Sequence, residues 1–168
     1  KDIPFFSIVT PIFNRIFLID QWFDSIHSQS FSSYEIVVCD NGSSDGTYEK
    51  LQELSQKFPK LKLVQTFDKG VASARNFAIK NSIGKYVINL DSDNKLASVD
   101  ALKFLAIHTK KYKSRLIMSV SADFEGKIIS HNLGSSNYLN LSTFLNNTHG
   151  EFFNTFEGNW IRNNPYKT

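Results

Sequence analysis

The sequence predicts an α/β fold in which a mainly parallel sheet is flanked by helices. Over the first hundred residues, short apolar runs rich in β-forming side chains alternate with helical patterns of ten or more residues. Strands separated in this way form βαβ units and pair in parallel. A length of 168 residues and an apolar composition of 41% are sufficient to bury a core, so the sequence excludes a disordered chain.

Four strands are predicted in this part of the chain. Residues 5–10 form a β-rich apolar run that Pro11 is expected to stop, and residues 34–39 form a second buried run. Residues 61–65 alternate apolar and polar side chains, which is typical of a half-buried strand. Residues 86–90 form a fourth apolar run, which leads directly into an Asp-Ser-Asp triplet.

Helices are predicted between and after these strands, because apolar residues three and four positions apart line one face of a helix. The four faces consist of Ile16, Ile19, Phe23 and Ile26, then Leu51, Leu54 and Phe58, then Val71, Ala74 and Ala78, and finally Val99, Leu102 and Leu105. Asp45 or Thr47 is expected to cap the second helix, and Gly84 is expected to end the third helix in the C′ position.

The pattern changes after residue 112. Residues 115–122 and 127–130 are predicted to form two strands joined by a turn at Glu125-Gly126, and residues 138–145 a helix; the rest is Asn- and Ser-rich and is expected to be irregular. We therefore divide the chain into an α/β region, residues 1–112, and a smaller C-terminal region, residues 113–168. Because no closing helix is predicted near Pro165, we expect the chain to be truncated and the second region to be partial.

Charge and cysteine content narrow the classes of function. A net charge of +3, with Lys and Arg spread along the chain, does not predict a nucleic-acid-binding face. The single cysteine, Cys39, cannot form an internal disulfide, and no apolar stretch is long enough to span a membrane, so a cytoplasmic protein is favoured. A local basic cluster is either a solvated helix end or a contact with phosphates or with anionic lipid at the inner face of the membrane; it comprises Lys110, Lys111, Lys113 and Arg115.

Polar clusters follow each of the four predicted strands, at residues 10–15, 40–43, 68–70 and 91–93. Ligands of open parallel sheets bind beyond the carboxyl ends of the strands, so these clusters are expected to share one crevice. Asp40 is expected to hydrogen-bond a nucleobase or ribose, with an Asx-turn or a helix cap as the structural alternative. Lys69 and Arg75 are candidate phosphate contacts, and for Arg75 a structural salt bridge is an equal alternative.

The Asp-Ser-Asp triplet at residues 91–93 is the sharpest candidate site. In an extended segment, residues i and i+2 point to the same side, so the carboxylates of Asp91 and Asp93 can converge on one cation. Mg²⁺ and Mn²⁺ prefer oxygen ligands and often bridge protein carboxylates to a substrate diphosphate. A turn is the structural alternative, but the position of the triplet at the end of an apolar strand favours a metal site.

Four sequence blocks, in this order, resemble family 2 of the glycosyltransferases, which have the GT-A fold with its Rossmann-like sheet. The blocks are Ser-Ile-Val-Thr-Pro-Ile-Phe-Asn-Arg at residues 7–15, Glu-Ile-Val-Val-Cys-Asp-Asn-Gly-Ser-Ser-Asp-Gly-Thr at 35–47, Gly-Val-Ala-Ser-Ala-Arg-Asn-Phe-Ala-Ile at 70–79, and Gly-Lys-Tyr at 84–86 followed by Asp-Ser-Asp-Asn at 91–94. The resemblance implies that the first block and Asp40 hold the nucleotide, usually uridine. It also implies that Asp93 ligates the metal, Mn²⁺ or Mg²⁺, and that Asp91 approaches the ribose, the sugar or the metal.

The strand-end clusters and the resemblance together predict one nucleotide site with an adjoining metal site. The predicted nucleotide contacts are Thr10, Pro11, Phe13, Asn14, Arg15, Asp40, Asn41, Lys69, Arg75, Asp91 and Ser92, and the predicted metal ligands are Asp93 and Asp91. The activity that the resemblance implies is inverting transfer of a sugar from a nucleotide-diphospho-sugar, usually a UDP-sugar, to a saccharide or lipid-linked acceptor.

The general base that inverting transfer requires is not evident in the sequence. Family members usually carry it beyond the Asp-x-Asp segment, often in a Glu-Asp pair, where it deprotonates the acceptor hydroxyl. No such pair follows residue 93, and the remaining candidates are Asp123 and Glu157. Two alternatives therefore stay open: a nucleotide-sugar-binding module without catalysis, and a metal-dependent nucleotidyltransferase or phosphohydrolase on a similar sheet. Ordinary P-loop chemistry is disfavoured because no Gly-x-x-x-x-Gly-Lys loop is present.

Overall fold

The computed structural model describes residues 2–112, 116–120 and 152–167. In chain order, the described elements are β1 (Phe6–Ile12), α1 (Ile19–His27), β2 (Tyr34–Asp40), α2 (Thr47–Lys57), β3 (Leu61–Gln65), α3 (Val71–Lys80), β4 (Tyr86–Asn89), α4 (Ala101–Tyr112), β5 (Leu116–Val120), β6 (Phe152–Glu157) and α5 (Gly158–Asn163). The strands and helices predicted before residue 113 are all present. The strand predicted at 127–130, the helix predicted at 138–145 and the candidate base Asp123 lie outside the described residues.

The described strands form a six-stranded sheet in the order β3-β2-β1-β4-β6-β5. β1 lies near the centre and pairs in parallel with both β2 and β4, and β3 pairs in parallel with β2. β6 runs antiparallel to both of its neighbours, β4 and β5. Because the strand order reverses between β1 and β4, a crevice is expected at this switch point, beyond the carboxyl ends of the strands.

Alternating side chains of the central strands supply one apolar core on each face of the sheet. On one face, Ile8 of β1 belongs to the same buried cluster as Trp22 of α1 and Leu102 of α4. On the other face, Val9 clusters with Ala74 and with other small residues of α3, which lets this helix lie close to the sheet. Burial of a side chain the size of Ile8, Val9 or Leu102 contributes about 1.5–3 kcal/mol, so packing on both faces stabilises the sheet and fixes the strand ends.

The predicted stop at Pro11 is wrong, because β1 continues through Pro11 to Ile12. The Ile12 carbonyl accepts a hydrogen bond from Asn41 on the β2 side, whereas the Val9 carbonyl accepts one from Leu90 on the β4 side. Backbone groups alternate between the two sides of a strand, so Pro11 faces the β4 side, where the pairing of β1 with β4 has already ended. Its missing N–H therefore removes no ladder hydrogen bond, and the strand tolerates proline.

The starts of two helices differ from the predictions. α1 begins at Ile19, so Ile16 lies in the preceding loop, where it still packs against the core. The N-cap of α2 is Gly46, in the left-handed conformation, rather than Asp45 or Thr47. Asp45 nevertheless holds the turn before the helix, because its Oδ1 accepts the N–H of Thr47 at 3.0 Å.

The predicted C′ role of Gly84 is also wrong. α3 ends at Lys80 with Asn81 as its C-cap, so Gly84 lies beyond the helix in the loop to β4. The N–H of Gly84 donates to Ser7 Oγ at 2.7 Å, and a Cβ at this position would lie 2.6 Å from the backbone nitrogen of Ser7. Glycine is required here because the loop approaches the backbone of β1 closely.

The described part of the C-terminal region joins the same sheet. β5 confirms the strand predicted at 115–122, whereas β6 and α5 occupy residues that were expected to be irregular. Thr155 and Phe156 of β6 are buried, and Ile161 of α5 packs into the core beside α3. Within the described residues, no helix combines the length and apolar character needed to cross a membrane.

Candidate functional site

A cleft of about 550 Å³ opens beyond the carboxyl ends of β1, β2, β3 and β4, at the switch point of the sheet. Each of the four strands contributes a residue at its end or just after it. The complete lining consists of Pro11, Ile12, Phe13, Arg15, Asn41, Phe67, Asp68, Lys69, Gly70, Val71, Ala74, Asp91, Ser92 and Asp93. The structure therefore brings the four polar strand ends together in one crevice.

Most of the predicted site residues line this cleft, and the others lie beneath or beside it. The lining includes Pro11, Phe13, Arg15, Asn41, Lys69, Asp91, Ser92 and Asp93, but not Thr10, Asn14, Asp40 or Arg75. Six lining residues were not predicted as site residues, namely Ile12, Phe67, Asp68, Gly70, Val71 and Ala74. Phe67 carries the clearest signal of these, because a phenylalanine directly before a polar turn at a strand end has no evident core to enter.

Asp40 is fully buried and organises the loop that follows β2. Its Oδ2 accepts hydrogen bonds from the N–H groups of Gly42 and Ser43, at 3.0 and 3.1 Å, and from Nε2 of Gln65 at 3.1 Å. These bonds are those of the Asx-turn that was the structural alternative for Asp40. Oδ1 is buried and has no partner among the described residues. Direct contact of Asp40 with a nucleotide stays a prediction.

The β1–α1 loop and the β2–α2 loop are held together by Asn14. Its N–H donates to Ser43 Oγ and its Oδ1 accepts from the N–H of Ser44, both at 2.9 Å. Asn14 has a φ of 51°, a left-handed conformation that Asn adopts more readily than most residues. These bonds fix the loop so that Phe13 and Arg15, on either side of Asn14, stand at the cleft. Phe13 is 52% exposed there.

The β3–α3 loop forms another part of the lining. Phe67 is 78% exposed, and Lys69 is exposed beside it. Gly70 has φ 100° and ψ 150°, a conformation that glycine adopts without strain and other residues do not. Within the described part of the chain, no side chain caps the N-terminus of α3. The unpaired N–H groups of such a helix start favour an anion in the cleft.

The triplet at residues 91–93 forms a turn and not the extended segment that was predicted. The N–H of Asn94 donates to the carbonyl of Asp91 at 3.0 Å, which closes the turn. The i, i+2 reasoning is therefore wrong, although Asp91 and Asp93 both line the cleft. Thr10, which is buried, donates through Oγ1 to the carbonyl of Leu90 at 2.7 Å and so ties the triplet to β1.

Arg75 of α3 lies outside the lining of the cleft and pairs with Asp91, which is part of that lining. Its Nη2 lies 2.6 Å from Asp91 Oδ1, and the two side chains are 16% and 46% exposed. The salt bridge that was an alternative for Arg75 is thus present, and its partner is a cleft residue. The Arg75 guanidinium also lies 5.4 Å from the ring centroid of Tyr166. Burial raises the pKa of the Tyr166 hydroxyl, and the Arg75 charge partly offsets this rise.

The carboxylates of the cleft fit a cation that is completed by a phosphate ligand. Among the described residues, no cluster of three or more His, Cys, Asp or Glu side chains could hold a metal ion by itself. Asp91 shares one oxygen with Arg75, whereas Asp93 is exposed at the cleft. Mg²⁺ and Mn²⁺ are commonly bound by one or two carboxylates together with substrate phosphates, so this donor set suits them and does not suit a closed structural site.

The register of β6 places Glu157 far from the cleft. Glu157 pairs with Tyr86, at the amino end of β4, whereas Asn154 pairs with Asn89 at the carboxyl end. The cleft lies beyond that carboxyl end, so the position of Glu157 does not favour a role as general base. Asp123 lies outside the described residues and stays a prediction.

Comparison with known proteins gives the family. The profile of the family described as "Glycosyl transferase family 2" matches residues 7–165. One curated relative is the UDP-Glc:alpha-D-GlcNAc-diphosphoundecaprenol beta-1,3-glucosyltransferase WfgD of Escherichia coli, which is 39% identical over 88 residues, 52% of this chain and 34% of that protein. The chain spans no more than about a third of the length of this relative and of the two Rickettsia glycosyltransferases that it also matches.

Two solved structures share the fold. Residues 1–349 of S. aureus TarS, in complex with UDP-GlcNAc, align with a TM-score of 0.80 and 22% identity over 95% of this chain and 47% of that chain. The mannosyltransferase PcManGT from Pyrobaculum calidifontis, in complex with GDP-Man and Mn2+, aligns with a TM-score of 0.72 and 21% identity over 99% of this chain and 48% of that chain. This likeness confirms the GT-A-type fold that the sequence predicts.

Proposed function

This chain belongs to family 2 of the glycosyltransferases, and we propose that its cleft binds a nucleotide-diphospho-sugar, with uridine as the nucleoside, together with Mn²⁺ or Mg²⁺. The sugar is transferred to a saccharide or lipid-linked acceptor with inversion. In this proposal residues 1–112 form the donor-binding region and residues 113–168 a part of the acceptor side. The buried single cysteine and the soluble donor are in keeping with action in the cytoplasm.

The observation that carries the proposal is the arrangement of charge in the cleft. Arg15 and Lys69 line the same cavity as Asp68, Asp91 and Asp93, next to the start of α3, which no described side chain caps. The two cations and the helix start favour an anionic ligand such as a diphosphate. The three carboxylates of the lining would repel that ligand unless a cation lies between them and the phosphates. A diphosphate bound together with a divalent cation is compatible with both the basic and the acidic residues of the cleft.

The aromatic residues of the lining, in the loops after β1 and β3, favour a planar base on the side of the cleft away from β4. Phe13 and Phe67 both line the cavity and are 52% and 78% exposed. Stacking of a base on an aromatic ring contributes about 1–3 kcal/mol in proteins that bind single-stranded nucleic acids. The bonds of Asn14 keep Phe13 in place before a ligand arrives, which reduces the ordering cost of binding.

Asp93 is the better ligand for the cation, and Asp91 takes a supporting part. Arg75 holds one oxygen of Asp91, so Asp91 has less capacity for a metal than the exposed carboxylate of Asp93. A divalent cation bound there would offset the charge of the departing diphosphate. Arg15 and Lys69 are the residues of this chain that would contact the phosphates directly.

The acceptor class is proposed from the relative in E. coli, whose name specifies a diphosphoundecaprenol-linked substrate. Inverting transfer also requires a base that removes the proton of the attacking hydroxyl. Asp123 is the residue that we propose for this role, since Glu157 lies at the opposite end of β4. Peripheral contact with a membrane through the basic cluster of Lys110, Lys111, Lys113 and Arg115 would hold the enzyme near lipid-linked acceptors, although Lys110 lies over the Phe5 ring at the amino end of β1, opposite the cleft.

The products of donor breakdown separate this proposal from its alternatives. The purified protein is incubated with UDP-glucose, UDP-N-acetylglucosamine or GDP-mannose, with and without Mn²⁺, and the products are identified by chromatography. A glycosyltransferase releases intact UDP, or GDP, together with free sugar when no acceptor is present. Release of phosphate or of UMP would instead identify a phosphohydrolase or a nucleotidyltransferase. Donor binding without any turnover, even with saccharide and lipid-linked acceptors added, would favour the binding module.

A further inference from the structure

Tyr166 connects the end of the described chain to the residues behind the cleft. Its backbone N–H donates to Asn76 Oδ1 at 2.9 Å, and its carbonyl accepts from Asn76 Nδ2 at 2.8 Å. This pair of bonds fixes the segment after α5 against α3. The ring also meets Phe156 of β6 edge-on, with centroids 6.3 Å apart. Tyr166 is thus held from two sides, and its phenol has little freedom.

The ring of Tyr166 holds the guanidinium of Arg75. The Arg75 side chain is 16% exposed, and the centre of its guanidinium lies 5.4 Å from the Tyr166 ring centroid. Nε of Arg75 is buried without a partner among the described residues, so no hydrogen bond at Nε orients the side chain. The ring contact and the 2.6 Å pair with Asp91 are therefore the contacts that orient it. Such a cation–π contact contributes about 0.5–2 kcal/mol, depending on desolvation.

The hydroxyl of Tyr166 holds the end of β4. It accepts a hydrogen bond from Nδ2 of Asn89 at 2.5 Å, and Asn89 is the last residue of β4, two positions before Asp91. The Tyr166 side chain consequently restrains Asp91 in two ways. The backbone of Asp91 is held through Asn89, and its carboxylate is held through Arg75.

We propose that Tyr166 is a positioning residue that sets the orientation of the Asp91 carboxylate at the metal-diphosphate site. This inference rests on the proposed function, because it concerns the cation that Asp91 and Asp93 would share. Partners behind a metal ligand fix its orientation, and their removal typically weakens metal binding by about 10–100-fold. Tyr166 acts through Arg75 and Asn89, so the lower end of this range applies.

The test compares UDP binding with and without Mn²⁺ by isothermal titration for wild type, Tyr166→Ala and Tyr166→Phe. The measured quantity is the ratio of the two dissociation constants, which reports the strengthening that Mn²⁺ causes. In Tyr166→Ala this ratio falls about tenfold, while the Mn²⁺-free dissociation constant changes by less than about twofold. Tyr166→Phe keeps the ring over Arg75 and loses only the hydroxyl, so its ratio falls about threefold. Tyr166→Phe also serves if the alanine variant does not fold.

Tyr34→Phe is the matched control. It also removes one phenol hydroxyl, which donates to the Ile26 carbonyl at 3.1 Å, but it does so at the amino end of β2, far from the cleft. The ratio of its two dissociation constants is expected to equal that of wild type, even if its melting temperature falls as much as that of Tyr166→Phe. The inference is overturned if Tyr166→Ala keeps the wild-type ratio, either with both dissociation constants unchanged or with both weakened by the same factor. If wild-type UDP binding is itself insensitive to Mn²⁺, the metal part of the proposed function fails instead, and the role of Tyr166 fails with it.

Discussion

Replacement of Gly84 by alanine is expected to destabilise the protein more than an ordinary loop substitution. A Cβ at this position would lie 2.5 Å from Ser7 Oγ, 2.6 Å from the Ser7 nitrogen and 2.8 Å from the carbonyl carbon of Phe6. Two of these three atoms belong to the backbone of β1, which is paired on both sides and cannot move alone. The loop must therefore separate from β1 by about 1 Å to reach an ordinary contact of 3.4–4 Å.

The magnitude follows from the contacts that this separation breaks. Overpacking of a close contact costs about 1–3 kcal/mol. The hydrogen bond from the Gly84 N–H to Ser7 Oγ, at 2.7 Å, is lost as well, and it contributes about 0.5–1.5 kcal/mol. The free energy of unfolding of Gly84→Ala is accordingly expected to fall by about 3 kcal/mol, a large share of the stability of a domain of this size.

Urea denaturation followed by tryptophan fluorescence measures this loss, because Trp22 is buried in the core. Gly84→Asn provides the discriminating comparison. If Gly84 were a C′ helix cap, asparagine would be tolerated better than alanine, because it adopts the left-handed conformation more readily. Close approach to β1 predicts the opposite order, since asparagine is larger. A loss below about 1 kcal/mol for Gly84→Ala, or a more stable Gly84→Asn, would refute the reasoning.

Two further predictions concern the thiol beneath the cleft and a phosphate contact in it. Burial, aided by the charge of Asp40, raises the pKa of the Cys39 thiol from 9.0 to about 12. The folded state therefore binds this proton more tightly, so the contribution of Cys39 to stability is present below pH 9.0 and is lost as the pH rises towards about 12. Urea titrations across this pH range should show a shallower decline in the free energy of unfolding for Cys39→Ala than for wild type. An equal decline in the two proteins would contradict a raised pKa of Cys39. Lys69→Ala is expected to weaken UDP binding about fivefold, or about 1 kcal/mol, whereas Lys80→Ala at the other end of α3 should bind as wild type does; equal losses in the two variants would remove Lys69 from the site.

Local periodicity is sufficient to predict β1 to β4 and α1 to α4. Each of these strands is a continuous apolar or alternating run, and each helix shows one apolar face, so the information lies within a short window. The parallel order of the strands then determines where their ends meet, which is why the polar clusters after them can be assigned to one crevice from the sequence alone.

The residues that could not be predicted depend on contacts between distant parts of the chain. β6 reads Phe-Phe-Asn-Thr-Phe-Glu, so four of its six residues are β-formers and a weak local signal is present. Asn154 and Glu157 interrupt this signal, and the pairing partners β4 and β5 that make the segment a strand are far away in sequence. In the local sequence Gly84 looks like the end of a helix. The residue that requires the glycine is Ser7, which lies 77 residues earlier and therefore outside any local pattern. Tyr166 has no local signal at all, because its role arises from Asn76 and Asn89.

Asp91 and Asp93 lie in one cleft, as the sequence predicts, but the local geometry that brings them there differs from the predicted one. The prediction places both carboxylates on one side of an extended segment, whereas the hydrogen bond from Asn94 to Asp91 closes a turn. Both carboxylates reach the cleft through this turn. The tertiary position at the end of β4 is therefore the reason for their grouping, and the alternation of an extended strand is not.

Titration of UDP into the protein, with and without Mn²⁺, tests the central claim most directly. Wild type is expected to bind UDP, and Mn²⁺ is expected to strengthen the binding by about tenfold or more, equivalent to about 1.4 kcal/mol. Asp93→Ala should retain the Mn²⁺-free affinity and lose the response to Mn²⁺. Asp24→Ala, which removes an exposed carboxylate from α1, should behave as wild type. Absence of UDP binding in both conditions, or a full Mn²⁺ response in Asp93→Ala, would contradict the claim that this cleft is a metal-dependent donor site.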